Sequence, residues 1–144
     1  MKISTKGRYA LRLMLDIALN GTENPVRIKE VAARQEISVK YLEQIVSALV
    51  KAGYLRSLRG AQGGYQLMYP ASKYTVGNIL RVTEGSLAPV DCLEGDEVSC
   101  DRAENCVTLR LWRELREAIH GVVDKYTLQD LIDWTDEMGS NYVI

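Results

Sequence analysis

The sequence predicts a mainly α fold with a small β-hairpin wing, that is, a winged helix-turn-helix domain followed by a long dimerisation helix. Three observations lead there. Two short amphipathic helices joined by a tight turn span residues 27–52, and the second carries a polar outer face. A hairpin tipped with Arg and Gly follows at once, over residues 54–69. A long amphipathic stretch from about 107 to 126 then lies outside this unit.

Each element has a local signature. Residues 5–20 read as a helix that Tyr9, Leu11, Leu13, Met14, Leu15, Ile17, Ala18 and Leu19 make apolar on most sides, so burial is expected; Asn20-Gly21 stops it. Pro25 sits in the next loop. Residues 27–36 form a short helix with Ile28, Val31 and Ala32 on one face, and Ile37-Ser38 makes the turn, with Ser38 as N-cap of the third helix. In that helix, 39–52, Tyr41, Leu42, Ile45, Val46, Leu49 and Val50 define a core face. Lys40, Glu43, Gln44, Ser47 and Lys51 fall opposite, and Gly53 ends the helix.

Tyr54-Leu55-Arg56-Ser57-Leu58 reads as a strand, Arg59 to Gly64 as a Gly-rich turn, and Tyr65-Gln66-Leu67-Met68-Tyr69 as the return strand, closed by Pro70. Residues 75–84 form another helix, ended by Gly85. Residues 85–105 look irregular, with Pro89 and six acidic residues. In the long helix that follows, Leu111, Trp112, Leu115, Ala118, Ile119, Val122, Val123 and Tyr126 make an apolar stripe, and Arg110, Arg113, Glu114, Arg116, Glu117 and Asp124 take the other side. Such a stripe on an arm outside a small domain usually meets its counterpart in a homodimer, the alternative being packing back on its own chain. Thr127 with Asp130 forms a capping box for a last helix carrying Leu128, Leu131 and Ile132.

Composition narrows the function. The chain has 144 residues, 47 % hydrophobic and 26 % charged, enough for a real core. No apolar run approaches a membrane span of roughly 18 residues. Residues 1–8 contain no apolar core of a secretion signal, so the cytoplasm is the expected location. Net charge is −1, but it is unevenly spread: residues 1–70 carry 11 Lys and Arg against 5 Asp and Glu, and residues 71–144 carry 7 against 14. A basic first half points to a polyanion partner. With a hairpin placed behind the two helices, that partner is double-stranded DNA. Gly in the turn lets backbone approach phosphates, and Arg suits a narrow, electronegative minor groove. The candidate DNA-contacting residues are Ser38, Lys40, Glu43, Gln44, Arg56, Arg59, Gly60 and Gln62.

Cys92, Cys100 and Cys106 lie in or at the edge of the irregular segment, with seven residues between the first pair and five between the second. An odd number of cysteines in a cytosolic chain points to metal or thiol chemistry rather than disulfides. Thiolates suit iron–sulfur clusters, zinc or copper(I), and the absence of a Cys-x-x-Cys knuckle lowers zinc. The alternative is an acidic loop with reactive thiols. Three ligands leave one open: Asp91, Asp101, Glu104, Asn105, a partner-chain residue or a small molecule could complete the site. His120, the sole histidine, is about 20 Å beyond Cys106 along a helix axis and reads as a surface residue. A thiol oxidoreductase needs an activated thiolate beside a base, and the acidic segment argues against one.

Three motifs resemble, in order and spacing, the Rrf-type family of winged-helix bacterial regulators: Lys6-Gly7-Arg8-Tyr9-Ala10-Leu11, Ser38-Val39-Lys40-Tyr41-Leu42-Glu43-Gln44, and Arg59-Gly60-Ala61-Gln62-Gly63-Gly64-Tyr65. The whole chain fits, including the cysteine segment, and it looks like the IscR-type branch, which regulates iron–sulfur cluster biogenesis. The resemblance implies that the three cysteines ligate a 2Fe–2S cluster and that cluster occupancy changes which palindromic operators the homodimer binds. It also implies that Tyr41, Glu43 and Gln44 face the major groove, with Glu43 as discriminator, and that Arg59 enters the minor groove. The chain departs from the branch at Leu109, where the ligand set ends in histidine. Nitric-oxide-sensing relatives place an acid where Arg8 stands here. The alternative within the family is a CymR-like, cluster-free repressor of cysteine metabolism. Relatives of that kind bind cysteine synthase, whose active site accepts a C-terminal isoleucine such as Ile144. The expected organisation is a DNA-binding domain (1–74), a linker helix and cluster-binding loop (75–106), and the dimerisation and C-terminal helices (107–144).

Overall fold

The computed structural model describes residues 2–142, with side chains through residue 139. Among the described residues, six α-helices flank one antiparallel hairpin: α1 (Thr5–Asn20), α2 (Ile28–Gln35), α3 (Val39–Lys51), β1 (Leu55–Leu58), β2 (Gly64–Leu67), α4 (Val76–Glu84), α5 (Thr108–Val123) and α6 (Leu128–Tyr142). The fold is thus the mainly α, winged-helix architecture the sequence predicts. Single 3₁₀ turns form at Ala71–Lys73, Asp91–Leu93 and Ala103–Asn105. The last two lie in the segment read as irregular.

α1 is the central helix. Ser4 caps it, accepting from the Gly7 amide at 3.0 Å, and the Glu84 carboxylate at the end of α4 accepts from the Ser4 amide at 3.2 Å and from its hydroxyl. Gly7 permits this approach: a Cβ there would sit 2.4 Å from Glu84 Oε1. Ala10, Leu13, Met14 and Ile17 then pack with α3, α4 and α6. Leu19, at 39 % exposure, lies outside this face.

α2 ends where Glu36 takes a left-handed conformation and the Ile37 amide reaches back to the Ala32 carbonyl at 3.2 Å. Ile37 enters the core, and the Ser38 hydroxyl caps α3 by accepting from the Tyr41 amide at 3.1 Å. Leu42, Ile45, Val46 and Leu49 are buried as the periodicity requires. Val50, expected on the core face, is exposed. It follows Leu49 by one residue, about 100° round the helix, which carries it past the core edge.

The hairpin pairs Leu55 with Leu67 and Leu58 with Gly64. The return strand stops before Tyr69 because the Tyr69 amide donates to the Tyr74 hydroxyl at 3.0 Å, and that hydroxyl donates to the Tyr54 carbonyl at 2.8 Å.

α4 opens with a Thr75–Asn78 capping box. α5 ends at Val123, before the expected 126, and Tyr126 leaves the stripe to pack against Trp134, the rings tilted by 60° with centroids 5.0 Å apart. Leu111 and Val122 of the stripe remain more than half exposed in the single chain, at 55 % and 58 %. The Thr127–Asp130 box caps α6 as expected. α6 folds back onto α1, with Leu128 fully buried and its amide on the Tyr74 carbonyl at 2.9 Å. No helix among the described residues is long and apolar enough to cross a membrane.

Candidate nucleic-acid interface and cysteine segment

α3 and the hairpin present one continuous polar face. Lys40, Glu43, Gln44, Ser47 and Lys51 are all exposed along the outer side of α3, the spacing of one helical stripe. Ser38 stands at its start, its hydroxyl occupied with capping. Tyr41 is only half exposed, because its ring packs edge-on against Tyr9 of α1 at 5.6 Å. A shallow cleft of about 410 Å³ between Glu43, Val46, Ser47, Val50 and Lys51 of α3 and Ser57 and Tyr65 of the hairpin joins the two elements. Arg56 lies on β1 and donates to Gln66 of β2 at 2.9 Å. Arg59, Gly60 and Gln62 are exposed at the tip, where Gly60 has a φ of +107° and the Gly63 amide closes the turn on the Gly60 carbonyl at 3.0 Å.

The face is held by contacts absent from the local pattern. The connection between α1 and α2 runs beside the hairpin, and Val26 and Tyr65 exchange backbone hydrogen bonds at 2.9 and 2.8 Å. The two helices behind the face are locked by Asp16, a buried carboxylate of α1. It accepts from Arg34 Nη2 at 2.7 Å, from Arg34 Nε at 3.1 Å and from Gln35 Nε2 at 2.9 Å. The Asp16 hydrogen bonds raise the pKa of the Arg34 guanidinium above its ordinary value. Asp16 gives no signal in the hydrophobic pattern beyond its place inside an apolar helix.

The cysteines sit between α4 and α5. Leu87, Leu93 and Leu109 are buried and pin the segment at three points, and Arg116 of α5 donates to the Leu93 carbonyl at 3.3 Å. Cys92 precedes Leu93 and its carbonyl accepts from the Ser99 amide at 3.2 Å, which folds the stretch before Cys100 back on itself. The Cys100 carbonyl accepts from Ala103, and the Ala103 carbonyl from Cys106 at 3.4 Å. All three thiols are free. Cys106 lies at the start of α5, 3.3 Å from the Thr108 hydroxyl. That contact and the neighbouring amides lower its thiol pKa below the ordinary value.

The donor set suits a soft metal group, three thiolates within one short segment. The geometry of the single chain does not gather them: among the described residues no group of three His, Cys, Asp or Glu side chains is arranged to hold a metal. Leu109 is 4 % exposed and serves as a packing residue. His120 is nearer the segment than its distance from Cys106 suggests. The chain folds back, so His120 lines a cleft of about 830 Å³ with Leu93, Glu94, Asp96, Arg81 and Arg116. Ile144 lies outside the described residues.

Residues 3–134 match the Rrf2 family, described as an iron-dependent transcriptional regulator. The protein rrf2 of Nitratidesulfovibrio vulgaris is 45 % identical over 132 residues, covering 92 % of this chain and 87 % of that one. The solved structure of CymR, the global cysteine regulator of B. subtilis, superposes with a TM-score of 0.78 at 41 % identity, over 93 % of this chain and 98 % of that one. The structure of T. potens IscR superposes with a TM-score of 0.77 at 38 % identity, over 96 % and 90 %.

Proposed function

The chain belongs to the Rrf2 family of DNA-binding transcription regulators, not enzymes, and on that premise we propose that it is an iron–sulfur-sensing member. The observation that carries this reading is the segment between α4 and α5: three free thiols within fifteen residues, pinned at Leu93 and Leu109 and joined directly to the helix that packs on α1. Cys92, Cys100 and Cys106 would hold the cluster, of 2Fe–2S type. Leu109 has no donor atom, so the fourth ligand comes from elsewhere. When bound, the cluster supplies a group whose occupancy reports iron and oxidant supply. The chain's own residues carry the consequence: α4 packs on α1 and α3, and Glu84 caps α1 through Ser4, so ordering of the segment bears on the DNA face.

Tyr41, Glu43 and Gln44 face base edges in the major groove, Ser38, Lys40 and Arg56 meet the backbone, and the tip residues Arg59, Gly60 and Gln62 lie along the minor groove. The exposed stripe of α5 joins two copies, so the operator is palindromic, and the cluster-sensing role makes cluster-assembly genes the targets. A cytoplasmic location follows from that role.

A second reading is favoured by one observation, that among the described residues the single chain gathers no three-ligand group. It is a CymR-like, cluster-free repressor of cysteine metabolism with cysteine synthase as its partner. An anaerobic visible spectrum of freshly purified protein, with iron and sulfide counted per chain, separates the two. Absorbance between about 320 and 450 nm with equal iron and sulfide, lost on Cys→Ala at 92, 100 or 106, is expected from the cluster chemistry. A colourless protein that resists reconstitution refutes the cluster and selects the second reading.

A further inference from the structure

We propose that Arg27 is a positioning residue for the wing, setting where Arg59 enters DNA; this rests on the DNA-binding reading of α3 and the hairpin. A hairpin of two four-residue strands is marginal by itself. Its tip is looser still: Arg59 to Gly64 contains three glycines, and nothing lies within 4 Å of where a Cβ would stand on Gly60. A basic residue on such a tip would sample many positions, at a cost in binding each time one is selected.

Two contacts from the α1–α2 connection oppose that freedom. Val26 is buried in the core and pairs with Tyr65 at the tip end of β2. Gly64 lets the two backbones meet, since a Cβ there would lie 2.5 Å from the Val26 carbonyl oxygen. Arg27, the next residue, reaches further. Its own carbonyl is fixed as the N-cap of α2, accepting from the Glu30 and Val31 amides at 3.0 and 3.2 Å. Its guanidinium Nη2 donates to the Ala61 carbonyl, two residues from Arg59. Among the described residues Arg27 makes no salt bridge. The side chain thus ties the tip to a backbone that the core and α2 already hold. A charged donor on a carbonyl is the stronger kind of neutral-acceptor bond, and the guanidinium keeps further donors free.

The alternative role for an exposed arginine here is a direct phosphate contact, and a double-mutant cycle with Arg59 distinguishes the two. The probe is a duplex recovered by the wild-type protein from a random-sequence library. Affinity at fixed salt is measured for wild type, Arg27→Gln, Arg59→Ala and the double variant, with each variant's thermal midpoint as a check on folding. Arg59→Ala should weaken binding by roughly 5- to 150-fold. Arg27→Gln should weaken it by about tenfold, and the double variant should bind little worse than Arg59→Ala, because Arg59 is the charged group of the tip whose placement the tether sets. Preference for A·T over G·C pairs at the flank under the wing should fall equally in both single variants. Losses that multiply in the double variant, or an unaltered flank preference in Arg27→Gln, overturn the tether. Wild-type affinity in Arg59→Ala refutes the wing reading beneath it. Should Arg27→Gln not fold, the same cycle is run with Arg27→Lys, which keeps one donor on a shorter reach. Multiplying losses overturn the tether there too.

Discussion

Removing Arg34 should destabilise the protein more than neutralising its partner Asp16, and the structure sets the size of both effects. Asp16 is 3 % exposed on α1. Arg34 and Gln35 of α2 donate to it at 2.7 to 3.2 Å, Asn20 Nδ2 of α1 donates at a longer 3.4 Å, and Gln35 is held in turn by Arg12 Nε at 3.0 Å. Arg34→Ala strands a buried carboxylate with Gln35 as its main donor. Breaking a buried pair in this way costs about 3–5 kcal/mol when water is excluded. The Arg34 side chain is 39 % exposed, so some water reaches the gap and about 2–4 kcal/mol is expected. Asp16→Asn keeps the shape and an acceptor oxygen but loses charge assistance, worth about 1–2 kcal/mol. Urea unfolding at neutral pH, with the slope checked for constancy, reads both numbers. An Arg34→Ala loss below about 1 kcal/mol, or an Asp16→Asn loss as large as that of Arg34→Ala, would refute the idea that α1 and α2 are locked through a desolvated carboxylate.

Three further outcomes are expected. Tyr74→Phe removes the hydroxyl that joins the Tyr69 amide to the Tyr54 carbonyl, so the urea midpoint should fall by an amount equal to about 1–3 kcal/mol; a silent variant would mean water replaces it fully. Gly64→Ala places a methyl 2.5 Å from the Val26 carbonyl oxygen, so hydrogen exchange at the Val26 and Tyr65 amides should accelerate and DNA affinity should drop; unchanged exchange would show the bridge is not tight. The Arg81 guanidinium, hydrogen-bonded to Asp124 at 2.6 and 2.9 Å, holds that carboxyl below its ordinary value. The folded chain then binds fewer protons than the unfolded one in acid, so this stabilisation is present above about pH 4 and fades as pH falls through the depressed value. The pair is partly exposed and contributes at most about 1 kcal/mol, and Asp124→Asn should flatten that part of the acid limb; parallel acid limbs in the two proteins would exclude the linkage.

The candidate interface was legible in unequal parts. The stripe Lys40, Glu43, Gln44, Ser47 and Lys51 follows from helical period alone, and the structure exposes all five. Ser38 as a cap follows from its place before an apolar run, since capping is decided within three residues. Helical period put Tyr41 on the core face and only the family resemblance turned it outward; its half burial against Tyr9 places position 41 at the boundary of the two. His120 was set aside on the distance along one helix, which is sound for Cys106. It fails for Leu93 to Asp96, because the segment doubles back beside α5.

The sequence by itself determined the helices, the hairpin, the caps at Ser38 and Thr127 and the charge asymmetry. Each depends on residues within a turn or two of one another, where periodicity and hydrogen-bonding competition act. Only the tertiary structure decided that Asp16 is a buried lock, that Val26 and Arg27 hold the wing, that Leu128 brings α6 back to α1, and that Val50 stays outside. These contacts join residues eighteen or more positions apart, or turn on which neighbour reaches a surface first. No local pattern encodes such meetings; they are fixed when the apolar faces of α1, α3, α4 and α6 close on one core.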